Sequence, residues 1–182
     1  MTARPGRPSE AASPSSRDHA SEHGKYNRGR SALEIPLKRI DALLADYGSH
    51  HRTRGNLVCH VLGITLIVFG ILAVLAQIRV GPVSVAEIAI ATMVLYDATL
   101  DLSLAAGLLV AFALLDVGAR AVGDWRIGLA AFALGWIFQA IGHAVYEKNR
   151  PAFFKNLLHL LVGPLFVVNE LLKVRRVAPV SR

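Results

Sequence analysis

The chain has 182 residues, of which 53% are hydrophobic and 18% are charged, and its mean hydropathy is +0.44. This apolar excess is more than one soluble core needs, so it excludes an ordinary soluble domain and predicts surface that faces lipid. The net charge of +7 comes without a basic stripe interleaved with aromatic residues. We therefore expect anionic lipid headgroups as partner, and no nucleic acid. The single cysteine, Cys59, excludes a disulfide framework or a cysteine metal site within one chain.

The chain starts with a polar stretch, residues 1–30, which is rich in Pro, Ser, Gly and Arg. We predict that it is a disordered tail. Ser31 and Glu34 follow at capping-box spacing, and apolar residues then recur at helical intervals. The pattern predicts a short amphipathic helix lying in the membrane interface, with an apolar face formed by Leu33, Leu37, Ile40, Leu44 and Tyr47.

Four membrane spans are predicted after this helix, because apolar runs of nearly sufficient length follow one another. Their approximate limits are residues 57–78, 86–100, 102–119 and 127–146. Asp116 and Arg120, in the third of them, stand at the spacing of a helical ion pair. The last apolar segment, residues 153–172, carries several polar residues, so we predict that it re-enters the membrane or lies along its surface.

Lys and Arg residues precede the first span and follow the fourth, which places both ends of the bundle, and both termini, in the cytosol. The fold class predicted is all-α: a polytopic membrane helical bundle in residues 31–173, followed by a basic tail, residues 174–182. Depending on the host, such a multi-pass protein lies in the bacterial inner membrane or in the endoplasmic reticulum membrane.

Polar residues that suit chemistry lie at the ends of the first and fourth spans. Asn56 and His60 are four residues apart, as are Gln139, His143 and Glu147, so each set forms one stripe of a helix. An even number of spans places both stripes at the same membrane face. Tyr47, His50 and His51 precede the first of these stripes, and His51 can fold back over the site if the chain turns at Gly55.

Ionisable side chains in a span are costly, and they usually face the bundle interior beside a partner. Three neutral imidazoles, from His51, His60 and His143, with a carboxylate nearby suit iron or zinc. Asn56 or Gln139 is placed to orient a ligand or a metal-bound water. A single such histidine would more often only hydrogen-bond a neighbouring helix, but several on a shared face favour a metal site.

These residues also resemble a known family. Tyr47, His51, Asn56, His60 and Gly63, together with the segment GWIFQAIGHAVYEKNRPA at residues 135–152, are similar to the fungal 2-hydroxy fatty acid dioxygenase (Mpo1-like) family, formerly a domain of unknown function. The resemblance covers roughly residues 43–172. Where the family commonly has a proline after the glycine of the first motif, this chain has Thr65.

The resemblance implies an Fe2+-dependent membrane enzyme of fatty acid α-oxidation, which uses O2 to shorten a 2-hydroxy long-chain fatty acid by one carbon. The essential histidines of the family correspond to His51, His60 and His143, as metal ligands and catalytic residues. For a further essential histidine, His50 is the nearest candidate, and Glu147 is a possible substitute. Lys148 or Arg150 is expected to steady the substrate carboxylate.

Two alternatives remain open at this point. His60 and His143 would also suit a bis-histidine haem between facing helices. The histidines and Glu147 would otherwise form only a polar network in a membrane scaffold or lipid-binding protein. The desaturases and hydroxylases with histidine boxes are disfavoured, because they need about eight histidines and only five lie outside the tail here.

Overall fold

A computed structural model describes residues 39–148 and 158–174 of the chain, without the side chains of 158 and 159. Its helices are α1 (residues 39–49), α2 (Arg54–Leu75), α3 (Val85–Ala98), α4 (Leu102–Val122), α5 (Trp125–Ile141) and α6 (Leu158–Leu172). A π-helical turn, Gly142–Glu147, continues α5. Between α2 and α3 the chain forms a short antiparallel ribbon of two strands, β1 (Arg79–Val80) and β2 (Val83–Ser84).

Several predictions fall on residues that the structure does not describe. These are the tail of residues 1–30, the helix start at Ser31, the placement of Arg150, the first residues of the segment 153–172, and the basic tail from residue 175 onward. They stay predictions.

The predicted all-helical membrane bundle is confirmed. Three of the described helical stretches, Arg54–Leu75, Leu102–Val122 and Trp125–Glu147, have 22, 21 and 23 residues with mean hydropathies of 2.7, 2.1 and 1.5. About 20 apolar residues cross the hydrocarbon core, so each is long enough to span it. Two are close to the predicted limits. Helix α2 begins earlier than the predicted span of residues 57–78, because the Thr53 hydroxyl accepts the Asn56 N–H at 3.3 Å and caps its first turn, and it ends at Leu75.

Helix α3 is shorter than the span predicted for it. It has 14 residues and is therefore about 21 Å long, less than the hydrocarbon thickness. Its start is fixed by a capping box, in which the Ser84 N–H donates to Glu87 Oε2 at 2.6 Å and the Glu87 N–H donates back to Ser84 Oγ at 3.3 Å. The β1–β2 ribbon takes up residues before this box, which leaves fewer for the helix.

The predicted pair of Asp116 and Arg120 is confirmed, with Arg120 Nε donating to Asp116 Oδ2 at 2.7 Å. The same guanidinium donates to Ser84 Oγ at 2.7 Å and lies 3.2 Å from a carboxylate oxygen of Glu87. These contacts tie the end of α4 to the start of α3. They also satisfy charged groups at the membrane face opposite the histidines, where an unpaired charge would be costly.

Helices α2 and α5 pack closely along their length because glycines face one another. A Cβ atom at Gly63 would lie 2.8 Å from the carbonyl oxygen of Gly135, and Gly70 approaches the backbone of Gly128 in the same way. Small residues let helix backbones approach within a bundle. This antiparallel packing brings the first turn of α2 beside the last turn of α5.

The apolar face of α1 is covered by protein. Ile40 and Leu44 are fully buried in the hydrophobic core, and the Tyr47 ring lies 4.8 Å from the Phe166 ring of α6. Helix α6 in turn reaches Gly107 near the start of α4 through Val168 and Leu172. The second half of α6 therefore packs against α1 and α4, and with 15 residues the described helix is too short to cross the hydrocarbon core.

Candidate metal centre

Three of the predicted site residues meet in the interior of the protein. His51 lies in the turn after α1, His60 in the second turn of α2, and His143 in the π-helical turn after α5. They are 1%, 2% and 3% exposed, and one nitrogen atom from each lies within 4.8 Å of the others. Three separate segments thus contribute one imidazole each to a single buried cluster.

The protonation of two of these rings follows from their hydrogen bonds. His51 Nδ1–H donates to the Tyr47 carbonyl at 2.7 Å, and His60 Nδ1–H donates to the Asn56 carbonyl at 3.1 Å. Because a carbonyl oxygen can only accept, each Nδ1 must carry the proton, and each Nε2 then holds a free lone pair. The backbone therefore sets the tautomer that a histidine ligand needs.

These two lone pairs face each other, since the Nε2 atoms of His51 and His60 are 2.8 Å apart. Two neutral acceptors at this distance repel each other unless a proton or a cation lies between them. Burial lowers the pKa of His51 to about 4, which disfavours the protonated ring at neutral pH. Metal–nitrogen bonds of about 2.1 Å place neighbouring ligand atoms roughly 3.0 to 3.4 Å apart, so a shared metal ion would need only a small separation of these two nitrogen atoms.

The position of His143 depends on the π-helical turn. Gly142 gives this turn space against α2, since a Cβ atom there would meet the side chains of Asn56 and Cys59. Nδ1 of His143 is buried and has no hydrogen-bond partner among the described residues. The π-helical turn also changes the direction of the residues that follow it relative to a regular α-helix.

Glu147 binds the opposite helix. Its Oε1 atom accepts hydrogen bonds from the Thr53 N–H at 2.8 Å and from the Thr53 hydroxyl at 3.1 Å. The carboxylate thus joins the end of the α5 segment to the residue that caps α2, and it is not one of the clustered ligand groups. A catalytic role for Glu147 stays a prediction.

The weaker candidates fall into two groups. Tyr47 stacks on His51 with ring centroids 4.2 Å apart, while Asn56 and Gln139 are buried within the bundle. Asn56 Oδ1 and Gln139 Nε2 lack a hydrogen-bond partner in the described part of the chain, which leaves an acceptor and a donor near the cluster.

His50 and Lys148, by contrast, lie outside the cluster. His50 donates from Nδ1 to the Asp46 carbonyl at 3.0 Å. Lys148 is exposed and has a left-handed backbone (φ 53°).

Sequence reasoning assigned no role to Phe166, which the structure places beside the site. Its ring lies 5.9 Å from that of His51 and 4.8 Å from that of Tyr47. Together with Tyr47 it shields His51 from water. In the sequence, Phe166 is marked only by the apolar run of residues 165–168 in α6. Such a run predicts burial, but it does not predict which residues are its neighbours.

A cavity of about 440 Å³ adjoins the three histidines. Gln139 and Tyr47 line it at the same end, and apolar side chains of α2, α3, α4, α5 and α6 form the rest of its wall. Ligand pockets in proteins commonly have this size and this combination of an apolar wall with few polar groups.

Comparisons with known proteins agree with the sequence resemblance. A family model described as 2-hydroxy-palmitic acid dioxygenase Mpo1-like matches residues 37–175, a range that contains all three clustered histidines. The 2-hydroxy-palmitic acid dioxygenase MPO1 of Saccharomyces cerevisiae is 31% identical over 143 residues, which cover 75% of this chain and 81% of the yeast protein. No solved structure matches the chain.

Proposed function

This chain belongs to the Mpo1-like 2-hydroxy-palmitic acid dioxygenase family, and we propose that it is an iron(II)-dependent dioxygenase that shortens 2-hydroxy long-chain fatty acids by one carbon. The observation that carries this proposal is the pair of facing Nε2 atoms of His51 and His60, which are 2.8 Å apart while each Nδ1 is hydrogen-bonded to a backbone carbonyl. With His143 they form a buried donor set of three imidazoles.

The redox chemistry of the proposed reaction favours iron over zinc. Imidazole nitrogens bind both metals, but zinc has no redox chemistry. Iron(II), when bound, supplies the electron transfer that dioxygen needs in order to react with an organic substrate. The remaining ligand positions would be open to a 2-hydroxy acid, whose hydroxyl and carboxylate oxygens lie at chelating distance from each other.

The residues of the chain would bind and orient this substrate. Gln139 Nε2 is a buried donor that lines the cavity beside His143, and it is suited to donate to a carboxylate oxygen. Tyr47 and Phe166 would exclude water from the reacting carbons. Lys148 and Arg150 are proposed to attract the anionic headgroup to the membrane boundary.

The proposed reaction balances with dioxygen alone. The bond between C1 and C2 breaks, C2 becomes the carboxyl carbon of the shorter acid, and C1 leaves as carbon dioxide. One water molecule is the remaining product. Dioxygen is the sole oxidant, so no separate electron donor is required.

We also propose the location that the sequence predicts: a multi-pass membrane protein with both termini in the cytosol, in the bacterial inner membrane or in the endoplasmic reticulum membrane. The site would then lie at the cytosolic boundary of the bilayer. An amphiphilic acid can reach such a site from the membrane that holds it.

The bis-histidine haem alternative is disfavoured by the geometry. The ring of His51 lies 4.0 Å from that of His60 and 5.1 Å from that of His143 by centroid. The third imidazole therefore occupies space that a porphyrin between His60 and His143 would need.

The experiment that tests this function is anaerobic iron loading of the detergent-purified protein, followed by air exposure with 2-hydroxypalmitate. We expect about one iron per chain and a fatty acid one carbon shorter, detected by mass. His60→Ala and His143→Ala should lose both, while His23→Ala, a histidine change outside the family match, should lose neither. Equal metal content in all variants with intact substrate would favour a membrane scaffold or lipid-binding protein.

A further inference from the structure

The cavity beside the histidines is much longer than a metal ion, dioxygen and a carboxylate require. Along α2 its wall runs from His60 to Leu72, a rise of roughly 18 Å along the helix. Along α5 it runs over a similar length, from His143 to Phe132. The cavity therefore extends from the cytosolic boundary deep into the hydrocarbon region.

Polar and apolar groups are separated along this length. The polar lining residues, Tyr47, His51, His60, Gln139 and His143, all lie at the histidine end. Beyond them the described wall consists of aliphatic and aromatic side chains with Gly163 and Pro164 of α6. A ligand that matches this wall has one polar end and a long apolar chain, because such a cavity binds methylene groups favourably and water poorly.

We propose that the alkyl chain of the substrate lies inside this cavity and that Ala89 limits the length of chain it accepts. This proposal rests on the proposed function, which supplies the polar end at the histidines. It differs from an arrangement in which only the headgroup enters the protein and the tail remains in lipid.

Ala89 is placed at the far end by the course of the chain. Helix α3 begins at Val85, directly after the ribbon that follows α2, so its first turns are level with the end of α2 near Ile71. Met93, one turn further along α3, lines the cavity closer to the histidines. Ala89 has the smallest side chain among the lining residues of α3, and it leaves the space that the last methylene groups would fill.

The first test compares two substrates and two matched variants. Ala89→Phe fills the far end of the cavity, and Ala91→Phe places the same ring on an exposed face of the same helix, outside the cavity. We expect Ala89→Phe to lower kcat/KM for 2-hydroxypalmitate relative to 2-hydroxydecanoate by about tenfold, the effect of displacing roughly two methylene groups. Ala91→Phe should leave this ratio within about twofold of the parent.

A second measurement does not depend on turnover. Iron-free protein is irradiated with 2-hydroxypalmitic acid that carries a diazirine at its terminal carbon, and the labelled residues are mapped by mass spectrometry. We expect labels on Leu72, Ala89 or Phe132 that excess unlabelled 2-hydroxypalmitate suppresses.

The two proposals fail differently. Suppressible labels at the far end without any shortened product would support the chain-binding cavity and overturn the dioxygenase function. Shortened product with labels only on lipid-facing residues, and an unchanged chain-length ratio in Ala89→Phe, would overturn the chain-binding cavity and leave the function standing.

Discussion

The carboxylate of Glu147 accepts hydrogen bonds from both the backbone N–H and the hydroxyl of Thr53, the residue that caps α2. His143 lies one turn before Glu147, and His60 lies two turns after Thr53. This contact between the α5 segment and α2 therefore holds two of the three clustered imidazoles at a fixed separation.

Removing this contact should weaken the fold without removing a metal ligand. We expect Glu147→Ala to destabilise the protein by roughly 1–2 kcal/mol, because the partly buried Thr53 N–H loses its acceptor. Glu147→Gln retains an acceptor oxygen and should cost less. Thermal unfolding in detergent measures both effects. Iron content measured on the same samples shows whether Glu147 is a structural contact or a metal ligand. A folded Glu147→Gln protein without iron would indicate a ligand.

Metal binding should stabilise the folded protein. Iron(II) added anaerobically at about 100 times its Kd would contribute about 2.7 kcal/mol, since the unfolded chain has no assembled site. We expect a raised Tm in the parent and none in His51→Ala or His60→Ala. A chelator should reverse the shift. An equal rise in the variants would mean that iron binds elsewhere.

The stability of the metal-free protein should depend on pH. Burial lowers the pKa of His51 to about 4, against about 6.5 in the unfolded chain, so the unfolded state binds more protons between these values. The contribution of the neutral His51 ring to the free energy of unfolding is thus full above about pH 6.5. It declines by up to about 3 kcal/mol as the pH falls toward 4. Chemical unfolding at pH 7 and pH 5 measures this loss. His51→Gln should flatten the dependence, and an unaltered slope would assign it to other groups.

The glycine contacts of α2 and α5 should control the site from a distance. Gly135→Leu places a side chain against the backbone of Gly63, so we expect a loss of about 1–3 kcal/mol and a lower iron content as His60 and His143 move apart. Ala133→Leu is the matched control, because this residue lies on an exposed face of the same helix. If Gly135→Leu behaved like Ala133→Leu in both measurements, the close packing would be irrelevant to the site.

Much of the fold was predictable because lipid imposes continuous apolar stretches, which hydropathy detects directly. The shared face of His60 and His143 followed from helical spacing and an even number of crossings. The sequence also contains the glycines of the α2–α5 contact, which are seven residues apart in each helix: positions 63 and 70, and positions 128 and 135. Only the structure shows which of them face each other.

Other features had no local signal. The π-helical turn at Gly142 depends on the contact with Asn56, which is distant in sequence. The burial of α1 against α6 was also hidden, because an amphipathic face looks the same whether lipid or protein covers it. The shortness of α3 reflects the ribbon before it, whose residues lack a strong strand pattern.

The imidazoles of His51 and His60 are both oriented by a backbone carbonyl four residues earlier, that of Tyr47 and that of Asn56. Every amino acid carries this carbonyl, so exchanging the side chain at position 47 or 56 leaves the acceptor itself in place. A single inserted or deleted residue within either four-residue interval would instead change the register and turn the ring away. The orientation of the two rings should therefore tolerate a change of side chain at position 47 or 56 far better than a change in the length of either interval.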